Sequence, residues 1–246
     1  DIERLASDPD YNKQFMDDFY MNRDPRFHAT IFCPGTKYPG ASDQLPGDMK
    51  YWNAWTKLED SEASQGFVYY SLIRDEIDRG QQEGANFYQK KGLDELTITE
   101  VYNAETDWIE IRFAEVLMNY GECANELGKS GEALQVLYDI RKRAGIGGTS
   151  DPYLEQCAGD RDKMANLIRN ERRLELCFEG FRFWDIRRWK ENLNEPVRGI
   201  DWDRDGHSFN EFVVEERNYE DYMYYCPIPN SEILKFSNLV QNRGWK

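Results

Sequence analysis

Between residues 106 and 145 the apolar positions recur at helical spacing. Ile109, Phe113, Val116, Leu117, Tyr120 and Ala124 fall on one face, and Gly128 ends the run where a C-cap belongs. A second run opens at Ser130, a candidate N-cap, and continues through Ala133, Leu134, Leu137 and Ile140. Two amphipathic helices joined by so short a turn are expected to pack antiparallel as a hairpin. One hairpin cannot cover its own outer face, so further helices are expected beside it. From Arg161 to Phe178 the spacing predicts another helix, with Leu167, Leu174, Phe178 and Phe181 as its stripe. Gly180 breaks it, and "FRFWDIRRWKENL" restarts a shorter one.

Elsewhere the pattern is weaker. Residues 1–30 read as a short helix, a turn at Asp24-Pro25 and a short strand in "FHATIF". "NFYQKKGLDELTITEVYN" is strand-like. The C-terminal part reads as a hairpin, a "PIP" turn, a short helix from Ser231 and an extended tail. Between these lies an irregular region, residues 33–84, rich in Gly, Pro, Ser and aromatics. Loops of that length inside compact domains are usually functional or disordered, and the aromatics between Tyr51 and Tyr70 argue against plain disorder.

Charge narrows the partners. Asp and Glu number 46 against 31 Lys and Arg, a formal net charge of -15. That opposes non-specific nucleic-acid binding, which draws on Lys and Arg neutralising phosphates, and it disfavours an anionic membrane surface. The two histidines, His28 and His207, make a His-rich zinc site improbable. Five cysteines without a CxxC pair fit buried free thiols better than a disulfide framework. No run approaches the roughly 18 apolar residues of a membrane-spanning helix, and no signal peptide is present.

The stretch "RNERRLELCFEGFRFWDIRRWK", residues 169–190, mixes arginines, carboxylates and large aromatics. Arg172 with Glu175, Glu179 with Arg182 and Asp185 with Arg188 stand at i,i+3 spacing, suited to ion pairs. Arginine stems can lie on apolar surface while their guanidiniums take carboxylates. With no nucleophile or positioned base in view, the stretch reads as scaffold.

It is also where a resemblance becomes specific. "IRNERRLELCFEGFRFWDIRRW" resembles the signature of the SusD/RagB family, an ERR-x-EL-x-FEG-x-R-x-x-D-[IL]-x-R-W pattern. "NRDPRFHATIF", "DWIEIRFAEVLMNYGECANELG" and "YCPIPNSEIL…NLVQNRGW" resemble the same family in the expected order. The "ANELGKSGEAL" junction looks like part of a tetratricopeptide repeat. Departures are small: Gly121 and Cys123 flank Glu122 where alanines are usual, and Arg243 stands where proline is common. Family members are about twice as long, so residues 1–246 look like the C-terminal region of a larger protein. Within it fall the loop region 33–84, a tetratricopeptide-like helix pair 106–145 and the signature helices 161–191.

The resemblance implies a mainly α fold with tetratricopeptide-type helix pairs, long loops and a few short strands. It implies a surface-exposed outer-membrane lipoprotein, its lipid anchor in the N-terminal part of that larger protein. Such proteins bind glycans, in some branches peptides, and pass them to a SusC-like TonB-dependent transporter without catalysis. No family motif covers the recognition loops, so the ligand-binding residues come from the sequence's own aromatic loop. They are Tyr51, Trp52 and Trp55, with Lys50 and Asn53 as polar neighbours and Tyr38 nearby. The opposing reading makes Trp52 and Trp55 buried anchors that pin the loop. Trp202 is a lesser candidate, while Trp108, Trp184 and Trp189 are expected in the core.

"DWDRDGHSFNEF" begins like an EF-hand loop, with Asp201, Asp203 and Asp205 alternating before Gly206 and Glu211 as a further ligand for calcium. Phe212 occupies the place of the closing Glu, and "EFVVEE" reads as strand, so the same residues also read as an Asp-Gly hairpin. Rival functions are a tetratricopeptide-type scaffold for protein partners and a glycoside hydrolase with paired carboxylates. With 46 acidic residues, some pair of carboxylates is bound to exist.

Overall fold

A computed structural model describes residues 17–32, 88–94, 105–147, 150–203 and 208–245, with a few positions before residue 17. The chain divides into two compact units, Asp1–Glu179 with Asp201–Phe209, and Gly180–Ile200 with Asn210–Lys246.

In the first unit a π-helical turn, Asp17–Met21, precedes α1 (Pro25–Thr30) and β1 (Ile31–Phe32). The "FHATIF" segment is therefore helix for most of its length, not strand. Asp24 is an N-cap whose side chain accepts from the Arg26 N–H, and Pro25 occupies the first turn, where its missing N–H costs nothing. β1 pairs antiparallel with β2 (Tyr88–Gln89), Ile31 opposite Gln89 and Phe32 opposite Tyr88. Four helices follow: α2 (Phe113–Glu126), α3 (Ser130–Arg143), α4 (Pro152–Cys157) and α5 (Arg161–Glu175).

Helices α2 and α3 form the expected antiparallel hairpin, with Tyr120 donating to Glu132 across it. Gly128, at φ +73°, closes α2. Lys129, not Ser130, holds the N-cap position of α3, and its side chain makes no capping bond. The core is built from α2 to α5: Ala114, Met118 and Ala124, then Ala133, Val136, Leu137 and Ile140, then Leu154, Met164 and Ile168.

Which face is buried differs from the sequence pattern. On α2 the buried positions are Ala114, Met118, Gly121, Ala124 and Asn125. Ile109, Phe113, Val116 and Tyr120 are exposed, Phe113 at 74%. Helix axes approach where side chains are small, and a Cβ on Gly121 would sit 3.1 Å from Val136 Cγ1. Bulk marks what prefers cover; small residues mark where backbones meet. On α5 the buried row is Met164, Ile168, Glu171, Arg172 and Glu175, while Leu174 and Phe178 are exposed. Trp108 and Trp184, expected in the core, are exposed, and Trp189 is half-buried. Of the thiols, Cys157 is buried, Cys177 half-buried and Cys123 and Cys226 exposed, so burial is not general.

The second unit contains α6 (Phe181–Arg188), entered through Gly180 at φ +80°. Its tail is tied by side-chain amides. Gln241 donates to the Ile228 carbonyl at 2.9 Å and accepts from the Ile228 N–H at 2.8 Å, as a second strand would. Asn242 donates to the Cys226 carbonyl and Trp245 to the Tyr225 carbonyl. The "PIP" turn is thus held by the C-terminal motif "QNRGW". A short 3₁₀ turn, Asp221–Tyr224, and α7 (Asn230–Ile233) complete the unit. Strands β3 (Val197–Asp203) and β4 (Ser208–Glu215) form a second two-stranded sheet.

Candidate functional site

The most concentrated chemistry among the described residues lies along the C-terminal half of α5 and the turn after it. Glu171 and Glu175 stand one turn apart on one face of α5, and Glu179 lies four residues further on, in the turn beyond the helix. Glu171 and Glu175 are 1% and 2% exposed. Buried carboxylates require cations and hydrogen bonds, and these come from four other places in the chain.

Arg26 of α1 donates to Glu171 at 2.7 Å and to Glu175 at 3.3 Å, while its remaining nitrogens take Asp24. Arg112, just before α2, donates to Glu175 at 2.7 Å and grips Glu179 with two nitrogens. Arg141 of α3 bridges Glu171 to Asp151, each at 2.9 Å, and Arg143 reaches Glu175. Lys91, in the turn after β2, donates to the Glu175 carbonyl at 2.9 Å and pairs with Glu179. Asp151 caps α4 with one oxygen and takes Arg141 with the other. A cavity of about 240 Å³ lies beside this network.

Burial pushes the Glu175 carboxyl up, but the Arg112 and Arg143 hydrogen bonds outweigh it and hold it below the ordinary range. Glu179 is likewise pushed up by burial and drawn lower overall by Arg112 and Lys91. A general acid needs the opposite displacement. The network ties distant parts of the first unit to α5 by charge, and its partners differ from the expected i,i+3 pairs. Asp185–Arg188 is present at 2.8 Å. Glu175 and Glu179 instead take arginines 32 to 149 residues away, Arg172 donates to Asn119, and Arg182 donates to Glu191. Arg26, Lys91, Arg112, Arg141 and Arg143 were missed by sequence reasoning. The legible signal was the three glutamates four residues apart in an otherwise basic run, which require cations from elsewhere.

Tyr38, Lys50, Tyr51, Trp52, Asn53 and Trp55 lie outside the described residues. So do Asp205 and the side chains of Asp201, Asp203 and Trp202. The backbone of Asp201 and Asp203 lies in β3. Glu211 stands on β4, exposed and 3.9 Å from Arg198, and β4 occupies the place where an EF-hand would begin its second helix. In the second unit Arg187 stacks over Phe183 at 3.4 Å and faces Tyr219 at 5.4 Å. Tyr219 packs edge-on to Tyr224, with ring centroids 5.0 Å apart.

The three motif stretches that meet at this network come from residues 22–32, 107–128 and 168–189, and the family model of the SusD family matches residues 3–245. The chain belongs to the SusD family. Two relatives from Formosa agariphila support this. SusD-like protein P2 is 32% identical over 167 residues, covering 64% of this chain and 29% of the relative. SusD-like protein P38 is 31% identical over 104 residues, covering 41% and 21%. A crystal structure of a SusD-like protein from Bacteroides fragilis superposes with a TM-score of 0.67 at 27% identity, over 92% of this chain and 40% of that one. The mainly α fold with few short strands is therefore the SusD-like one. This SusD-family chain spans less than half the length of each of these three proteins.

Proposed function

We infer that this SusD-family protein is a non-enzymatic glycan-binding subunit at the cell surface. It delivers captured oligosaccharide or polysaccharide to a SusC-like TonB-dependent outer-membrane transporter. The observation that carries the reading is the match of the SusD family over residues 3–245, with SusD-like relatives and a SusD-like structure agreeing. The chemistry of the described residues is consistent with it. Glu171 and Glu175 of α5 and Glu179 just after it are neutralised by cations, and Glu175 and Glu179 are held below their usual pKa rather than poised for proton transfer. In this reading Tyr51, Trp52 and Trp55 supply flat apolar faces to sugar rings, and Lys50, Asn53 and Tyr38 order the hydroxyls. Surface attachment is through a lipid anchor.

Affinity electrophoresis of the full-length protein against a polysaccharide panel tests this, with Trp52→Ala and Trp55→Ala run alongside. Retardation on one glycan, lost in both folded variants, is the expected outcome. Retardation that persists in the variants moves the platform elsewhere on the protein. No retardation on any glycan overturns glycan capture and favours peptide cargo.

A further inference from the structure

Residues 24–32 and 88–94 are joined to each other by backbone and to the rest of the unit by charge. Beyond the β1–β2 ladder, the N–H groups of Lys90 and Lys91 both donate to the Thr30 carbonyl, at 2.8 and 3.1 Å. The two segments therefore form one small element. Its described polar ties to α5 and the turn after it are Arg26 to Glu171 and Glu175, and Lys91 to Glu179 and the Glu175 carbonyl.

The apolar core draws its members from α2 to α5 and the turn after α4, and none from these two segments. A cleft open to solvent runs along the seam. The cavity of about 240 Å³ is bounded by Ala29 and Thr30 on one side and by Leu174 and Arg143 on the other.

We propose that residues 24–32 and 88–94 are a latched unit that opens as a whole from α5, with Glu171, Glu175 and Glu179 as the catch. Breaking a buried ion pair is costly chiefly because it strands a charge. Here the catch is doubly provided for. When Arg26 and Lys91 leave, Arg141 still holds Glu171, Arg112 and Arg143 still hold Glu175, and Arg112 still holds Glu179. Arg26 departs with its own counter-charge, Asp24. Among the described residues, opening thus exposes little core surface and leaves no carboxylate of the catch bare, which is what a sub-global opening below the cost of full unfolding requires.

Hydrogen exchange of the full-length protein at neutral pH, read by mass spectrometry on peptides from residues 24–32, 88–94 and α2 to α5, tests the latch. In wild type the two segments should exchange together and faster than the core helices. In Arg26→Gln and in Lys91→Met both segments should accelerate about tenfold or more, the loss of a charge-assisted bond, with core protection unchanged. Lys91→Met alone decides the matter if Arg26→Gln folds poorly, because Lys91 is only half-buried. Acceleration of the core helices in step with the segments would make the ties part of the core and overturn the proposal. So would segments that respond separately, or not at all.

Discussion

At the scale of single residues, Glu175 carries more of the fold than its place in an acidic chain indicates. Its carboxylate receives Arg26, Arg112 and Arg143, and its carbonyl receives Arg112 and Lys91. Glu175→Ala leaves those guanidiniums facing a cavity, two of them half-buried, and should cost about 3 kcal/mol of unfolding free energy, the range for breaking a buried pair. Glu175→Gln keeps the shape and an acceptor oxygen and should cost less. Urea denaturation of both variants checks the order; equal midpoints would show that charge, not shape and packing, decides the site. This residue also shows what a sequence does and does not reveal. The i,i+4 row of Glu171, Glu175 and Glu179 was visible, and so were all five cations. Their meeting was not, because the partners lie between 30 and 149 residues from the glutamates they hold, and local spacing carries no information over that range.

At the scale of elements, the long helices were legible, while the six-residue helices α1, read as a strand, and α4 were not, and neither was helix orientation. The α2–α3 hairpin lies where periodicity placed it, because a short turn after Gly128 and two apolar runs leave few other arrangements. The buried face of α2 escaped the pattern because two stripes compete there. Phe113, Val116 and Tyr120 form the bulkier one; Ala114, Gly121 and Ala124 permit the closer approach. The second stripe packs against α3, with Gly121 set against Val136. Gly121→Leu must displace Val136, whose Cγ1 already stands 3.1 Å from the ideal Cβ position, and should cost about 2 kcal/mol as overpacking. Adding Val136→Ala should recover a good part of that loss. A thermal-unfolding double-mutant cycle measures the recovery, and strict additivity would mean that the two helices do not meet there. In the candidate site, by contrast, the aromatic loop was proposed from composition alone, which names residue types but fixes no position in space.

At the scale of the whole molecule, two electrostatic effects oppose each other as pH falls, and their crossing makes a prediction. The chain carries a formal net charge of -15, so mild acidification relieves self-repulsion and favours the compact state. The network works the other way. Asp24, Glu175 and Glu179 are each pushed up by burial yet held lower overall by their arginine and lysine partners. A carboxyl with a depressed pKa in the folded state binds fewer protons there than when unfolded. Its stabilisation is therefore complete above the unfolded value and disappears as pH falls through the folded one. Stability should accordingly hold or rise slightly from neutral pH to about 5, where unfolded carboxyls begin to bind protons, then fall steeply below about 4, where about half of them have done so. Glu175→Gln removes one of the three depressed groups, so its acid limb should be shallower although its stability at neutral pH is lower. Urea midpoints followed by far-ultraviolet circular dichroism across that range supply the comparison. An acid limb of equal slope in wild type and Glu175→Gln would place the source of acid lability outside the network, in the general charge of the chain.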